Sequence, residues 1–282
     1  MGRLVFSVQT EAPKALGKYL RSECGISAGL LRRLKNSSDG IMLNGVHART
    51  VDTVRLGDII TLGYSECSEL EKNPSLHAPI VFENDCLAVF YKPAGMPVHP
   101  SAKHRDDTLG NLFAALYPDT VFRPVSRLDK DTSGLCIVAK DPRSVNILQR
   151  SCHKIYYAAV HGVTETSGTV DAPIARERES IITRCVRADG RSAVTHFTKI
   201  SGNDKYSLLR IHLETGRTHQ IRVHMSHIGH PLAGDDLYGG SLSDIQRQAL
   251  HCGEITFTCP LTGKRITVSS EIPNDIKNLV RS

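Results

Sequence analysis

The chain has 282 residues, 40% hydrophobic and 23% charged, with a net charge of +6. That is enough for one sizeable core plus a small accessory unit, in the range of soluble globular proteins. No apolar run approaches the roughly 18 residues a membrane helix needs, residues 1–6 turn polar at Ser7 without the apolar centre of a secretory leader, and eight cysteines without a C-x-x-C pair argue for reduced thiols in a cytoplasmic protein and against zinc ribbons or disulfide frameworks.

In chain order, Leu16, Tyr19 and Leu20 form an apolar stripe at helical spacing, with Lys14, Lys18 and Arg21 on another face. Ser27 can cap a second helix carrying Leu30, Leu31 and Leu34, with Arg32, Arg33 and Lys35 on its outer side. Ile41-Met42-Leu43 then meets the tight turn Asn44-Gly45, and a further run ends in Leu56-Gly57-Asp58-Ile59-Ile60. Residues 1–64 hold nine Lys/Arg against five Asp/Glu, so this quarter carries four of the six net positive charges. Clustered cations suit a polyanion partner; a merely solvated face is the competing reading.

Residues 65–79 are polar, proline-bearing and locally acidic, which predicts an interdomain linker. Over 80–282, strands are expected at 87–91, 135–139, 155–161, 193–200, 206–213 and 255–258, and helices at 108–116, 143–150, 219–227 and 242–250. Strands outnumber helices and often follow one another directly. The prediction is an α+β fold with a mixed, largely antiparallel sheet and flanking helices. Walker A and G-x-G-x-x-G patterns are absent, so no nucleotide cofactor is expected.

Two segments concentrate chemistry. In Pro124-Val125-Ser126-Arg127-Leu128-Asp129-Lys130-Asp131-Thr132-Ser133-Gly134, Arg127 and Asp129 stand two apart at a strand entrance, a spacing that projects both to one side. Alone, Asp-x-x-Ser-Gly is ordinary turn chemistry. Residues 214–232 carry Arg217, His219, Arg222, His224, His227 and His230, without the i, i+4 spacing of H-E-x-x-H. No metal is expected there; the dense donors suit a polyanion or a carboxylate instead.

Taken together, these segments resemble the RluA-type pseudouridine synthase family from about Phe82 onward. Tyr91-Lys92-Pro93-Ala94-Gly95-Met96-Pro97-Val98-His99-Pro100 resembles its opening motif, and Arg127-Leu128-Asp129 with Thr132-Ser133-Gly134 its catalytic loop. Lys154-Ile155-Tyr156-Tyr157-Ala158-Ala159-Val160-His161-Gly162 resembles its K-x-Y-x-A-x-V-x-G strand, and residues 216–234 its third motif. Residues 14–62, with Leu43-Asn44-Gly45 and Leu56-Gly57-Asp58, resemble the S4 RNA-binding module.

The resemblance implies isomerisation of uridine to pseudouridine in RNA, with large-subunit ribosomal RNA as first expectation and tRNA as second. No atoms are gained or lost in that reaction, so no cofactor is expected. Asp129 would be the essential aspartate, and Arg222 its ion-pair partner. Tyr156, not Tyr157, would stack on the target base, and Arg127 would hold the loop and a nearby phosphate. Lys18, Arg21, Arg32, Arg33 and Lys35 would contact RNA from the S4-like unit. Ser126 stands where the family often has His, and Cys259 of Phe257-Thr258-Cys259-Pro260 where His is frequent. A catalytically silent RNA-binding or ribosome-assembly factor is the alternative, against which the acidic Asp129 among basic residues speaks. A glycosidase would release free uracil and usually employs two carboxylates, of which only one is marked. No membrane contact or obligate protein partner is indicated; a cytoplasmic monomer is expected.

Overall fold

The computed structural model describes residues 2–64, 68–177 and 182–281. Cys67 and the first residues of the expected linker, 65–67, lie outside that set. The N-terminal unit comprises β1 (Gly2–Ser7), β2 (Lys14–Ala15), α1 (Leu16–Ser22), α2 (Ala28–Leu34), β3 (Met42–Leu43), β4 (Val46–His47), β5 (Thr53–Val54) and β6 (Ile59–Tyr64). Strands β1-β6-β3-β4 form one sheet and β2-β5 a second pair.

Each local signal has a visible cause. Ser27 Oγ accepts from the Leu30 N–H at 3.0 Å and starts α2. Asn44 (φ 51) and Gly45 (φ 81) both adopt the left-handed conformation that a two-residue hairpin turn requires. The Asn44 side chain then ties this turn to the second one, donating to Asp58 at 2.9 Å and accepting from the Ile59 N–H at 2.8 Å. Leu16, Leu20, Leu30, Leu34, Ile60 and Leu62 close a core of their own, apart from the main one. Lys18, Arg21, Arg32, Arg33 and Lys35 are all exposed on α1 and the α2 region.

The larger unit runs β7 (Ile80–Glu83), β8 (Leu87–Lys92), α3 (Leu109–Leu116), β9 (Arg123–Pro124), β10 (Ser133–Ala139), α4 (Pro142–Ser151), β11 (His153–His161) and β12 (Ser167–Asp171). It continues β13 (Ile174–Arg176), β14 (Arg184–Val186), β15 (Val194–Gly202), β16 (Tyr206–Leu213), α5 (Gln220–His227), β17 (Leu250–Thr258), β18 (Arg265–Ser269) and α6 (Asn274–Leu279). The main sheet has the order β12-β15-β16-β11-β17-β10-β8-β7, with β18 beside β17 and β9 beside β10. Its pairings are antiparallel except β10 with β17, which joins the two halves in parallel at Ser133↔His251 and Gly134↔Cys252. The expected α+β architecture is the observed one.

One expectation fails. Residues 242–250 are not a helix but an irregular segment leading into β17 at Leu250. Leu242, Ile245 and Leu250 have helix-compatible spacing, yet the backbone is claimed by tertiary partners. Ser241 O accepts from the Gly234 N–H at 2.9 Å, and the Ala249 N–H donates to Ala233 O at 2.8 Å. The described part of the 65–79 segment lies against α3, where Asn111 donates to Glu71 O at 2.8 Å and Leu70 meets Gly110. The two units touch through Arg143 on α4, which donates to Cys24 O at 2.7 Å.

At the parallel junction Gly134 has φ +113, and a Cβ there would come within 2.2 Å of Cys252 O. Backbone conformation and close approach both demand glycine. Gly134→Ala should therefore lower unfolding stability by about 2 kcal/mol or more, measured by denaturant titration; a loss below about 0.5 kcal/mol would mean that the junction relaxes freely.

Candidate active site

The loop that precedes β10 is held from behind, leaving its outer side chains free to face a pocket. Leu128 is buried in the main core, and the Thr132 N–H closes a turn onto Asp129 O at 3.1 Å. Lys92, fully buried at the end of β8, donates through Nζ to Pro93 O (2.8 Å), Met96 O (2.7 Å) and Lys130 O (2.8 Å). Its ammonium thus clamps the Lys92–Met96 turn to the loop bearing Asp129. Arg247 braces the same loop, donating to Asp131 O at 3.4 Å while paired with Asp275 of α6.

Helix α5 supplies the opposite wall. Gln220, buried at its first turn, donates to Val194 O (3.0 Å) and Thr195 Oγ1 (3.1 Å) and accepts from the Arg217 N–H (2.9 Å). Arg222, two residues on, points its guanidinium inward. Its Nε and Nη2 form a fork on Asp235, at 2.7 and 2.8 Å, and its Nη1 reaches Asp129 Oδ2 at 3.2 Å. Burial opposes the charge of Arg222, but the hydrogen bonds and charge of Asp235, joined by Asp129, raise its pKa above the usual value. Asp235 is 0% exposed, so the fork neutralises a carboxylate that water cannot reach.

Tyr156 forms a third wall from β11. Beside it the β11–β17 register shifts, Ile155 pairing with Glu254 and Tyr156 with Cys252. Such a bulge re-aims neighbouring side chains. The phenol is pushed well above its usual pKa by burial, with Lys154 opposing, and stays neutral. Arg127, Asp129, Tyr156, His219 and Arg222 all line one pocket. Arg127 is exposed at its rim and has no hydrogen-bond or ion-pair partner among the described residues.

The four expected residues therefore converge. Sequence reasoning named His219 only as one of several donors and missed Asp235 and Tyr238; Asp235 directly follows the third motif and could have been flagged, whereas Tyr238 gives no signal. Ser126 Oγ is buried without a hydrogen-bond partner among the described residues, so it does not face the rim. Cys259 is buried near Asn84 (3.6 Å) and is not part of the pocket wall. His224 is consumed by Thr195 Oγ1 and Ala172 O, and His230 by His161 O. Among the described residues no group of three or more His, Cys, Asp and Glu side chains could hold a metal ion. A larger, open cleft of about 900 Å³ lies between residues 203–206, 243–247 and α6. Its Lys205–Asp244 and Arg247–Asp275 pairs satisfy each other, and none of the expected site residues lines it.

Burial brings Lys92 down from 10.5 to about 8. Above pH 8 the folded protein sheds this proton while an unfolded chain would keep it, so global stability gains there. The neutral amine has only two N–H donors for three carbonyls, and the clamp on the Asp129 loop weakens. Turnover should fall above about pH 8 with no matching drop in melting temperature, and Lys92→Arg, which cannot deprotonate, should lack the decline. A wild-type profile flat to about pH 9.5 would remove Lys92 from this role.

Residues 86–227 match the RNA pseudouridylate synthase family. The chain is 38% identical over 276 residues to the uncharacterized RNA pseudouridine synthase YjbO of Bacillus subtilis, spanning 94% of this chain and 98% of that one. It is 36% identical over 267 residues to the ribosomal large subunit pseudouridine synthase D of Xanthomonas campestris pv. campestris, covering 86% and 81%. Among solved structures, human RNA Pseudouridylate Synthase Domain Containing 1 shares the fold, with a TM-score of 0.60 at 24% identity over 72% of this chain and 86% of that one. With this extent of similarity around a carboxylate, an arginine and an aromatic wall in one pocket, the chain belongs to the RNA pseudouridylate synthase family, as an RluA-type isomerase of RNA.

Proposed function

We propose that this pseudouridine synthase modifies uridine in large-subunit ribosomal RNA, with Asp129 as its reacting carboxylate. The observation that carries the reading is the convergence of Asp129, Arg222 and Tyr156 in one pocket, with Arg127, which has no hydrogen-bond or ion-pair partner among the described residues, at its rim. Isomerisation breaks the C1′–N1 bond, turns the uracil and joins C5 to C1′; C5 loses a proton and N1 gains one. A carboxylate can serve as nucleophile or base in that sequence. Tyr156 offers a stacking face for a base extruded from structured RNA, and Arg127 a cation for the displaced backbone. The ribosomal assignment draws on the Xanthomonas relative, named for the large ribosomal subunit.

Residues 1–64 act, in this reading, as an S4-like RNA-binding domain ahead of a catalytic domain at 80–282. Lys18, Arg21, Arg32, Arg33 and Lys35 would supply phosphate contacts, adding affinity and orientation without base readout.

Pseudouridine mapping of total RNA with and without the gene should lose at least one large-subunit site; loss of a tRNA site instead would move the substrate, and no loss at all would refute the ribosomal reading. Asp129→Asn should abolish turnover, by roughly a thousandfold or more, while RNA affinity stays within about twofold; an active variant would displace Asp129 from its role.

A paired substitution, Arg32→Glu with Lys35→Glu, should weaken RNA binding and lower the slope of log affinity against log salt by about two. An unchanged slope would leave the N-terminal unit without a phosphate-binding role.

A further inference from the structure

His219 is the residue immediately before α5, with φ 57, and only one other described non-glycine residue, the turn residue Asn44, shares a positive φ. That conformation is unfavourable for a side chain with a Cβ and persists where the surroundings over-determine it. Here it inserts the imidazole between Tyr238 and Asp129. Nδ1 stands 2.8 Å from Tyr238 Oη, the rings meeting edge to face at 78°, and Nε2 stands 3.7 Å from Asp129 Oδ2.

The proton positions follow from the partners. Tyr238 Oη already accepts the Arg184 N–H at 3.0 Å, so its own proton is available for His219 Nδ1. An imidazole that accepts at Nδ1 carries its proton on Nε2. Burial pushes His219 below its usual pKa; Arg222 and Arg184 reinforce this against the opposing Asp129 and Asp235, and the ring is neutral near pH 7. Its Nε2–H then faces the same carboxylate oxygen that Arg222 Nη1 reaches at 3.2 Å. Both contacts fall on Oδ2. Oδ1 has no partner among the described residues, and the Asp129 side chain keeps 29% of its surface open.

We propose that His219 is a positioning residue: held by Tyr238 in its Nε2–H form, it joins Arg222 in fixing Asp129 Oδ2 and so leaves Oδ1 as the oxygen that meets the target nucleotide. The 3.7 Å separation is longer than a hydrogen bond, and contacts of this kind tighten when substrate closes a site. The assignment rests on the reading of Asp129 as the reacting carboxylate; the tautomer of His219 does not.

Two measurements on the full chain test it. Long-range 1H–15N NMR should show neutral His219 protonated at Nε2 near pH 7, and Tyr238→Phe should abolish that fixed tautomer. An Nδ1–H form or an imidazolium in the wild type would overturn the proposal. The second is single-turnover pseudouridine formation on an in-vitro transcript of the large-subunit RNA segment that loses its modification when the gene is deleted. There His219→Ala should slow the step roughly tenfold or more at saturating RNA with affinity within about twofold, and His219→Gln, whose amide N–H lies near the ring Nε2–H, should recover most of the rate. Wild-type rates in His219→Ala, or equal impairment in both variants, would overturn it. A wild-type protein inactive on that transcript would sink the catalytic reading instead, while the tautomer measurement still decides the relay.

Discussion

A single guanidinium shared between two unequal carboxylates organises this enzyme. Asp235 has no access to water, and an unpaired charge at that depth would be strongly destabilising. Arg222 meets it with a two-pronged fork and lies under the Tyr238 ring, 5.0 Å from its centroid. Because two of its nitrogens are committed, the orientation of the third is settled before RNA arrives, and that third nitrogen points at Asp129. One carboxylate fixes the arginine; the other stays partly open to the pocket. Pre-set geometry of this kind avoids reorganisation during reaction.

The rest of the fold keeps these partners in register although they come from distant parts of the chain. Asp129 leads into β10, Arg222 sits on α5 and Tyr156 on β11. The parallel β10–β17 junction brings the two halves of the sheet together, and the absent side chain at Gly134 permits the close approach. Lys92 and Arg247 hold the Asp129 loop by its carbonyls from the inner side, so backbone groups are satisfied by buried donors and the acidic side chain is turned outward. Arg247 also pairs with Asp275, which couples α6 to that loop.

Much of this was legible in the residues. The capped helix at Ser27, the Asn44-Gly45 turn and the strands over 87–91, 135–139 and 206–213 all depend on local rules that neighbouring residues can state. The failures have one cause. Residues 242–250 carry a helix-compatible apolar spacing, but Ala249 gives its N–H to Ala233 O and its carbonyl to the Ala159 N–H, and the preceding Ser241 carbonyl is taken by Gly234, partners that no local window contains. Asp235 escaped notice because an Asp after Gly reads as a turn until Arg222 is seen beside it.

By itself, then, the sequence determined the reaction class, since that is carried by ordered motifs that resemble those of the RluA-type family, and it named the acidic, basic and aromatic candidates those motifs contain. Only the tertiary structure decided which oxygen of Asp129 is held, which carboxylate Arg222 serves first, and why a histidine tolerates a left-handed backbone beside them. Those are relations between groups 13 to 93 residues apart along the chain. Pattern names the participants; their distances and orientations exist only once the sheet has closed.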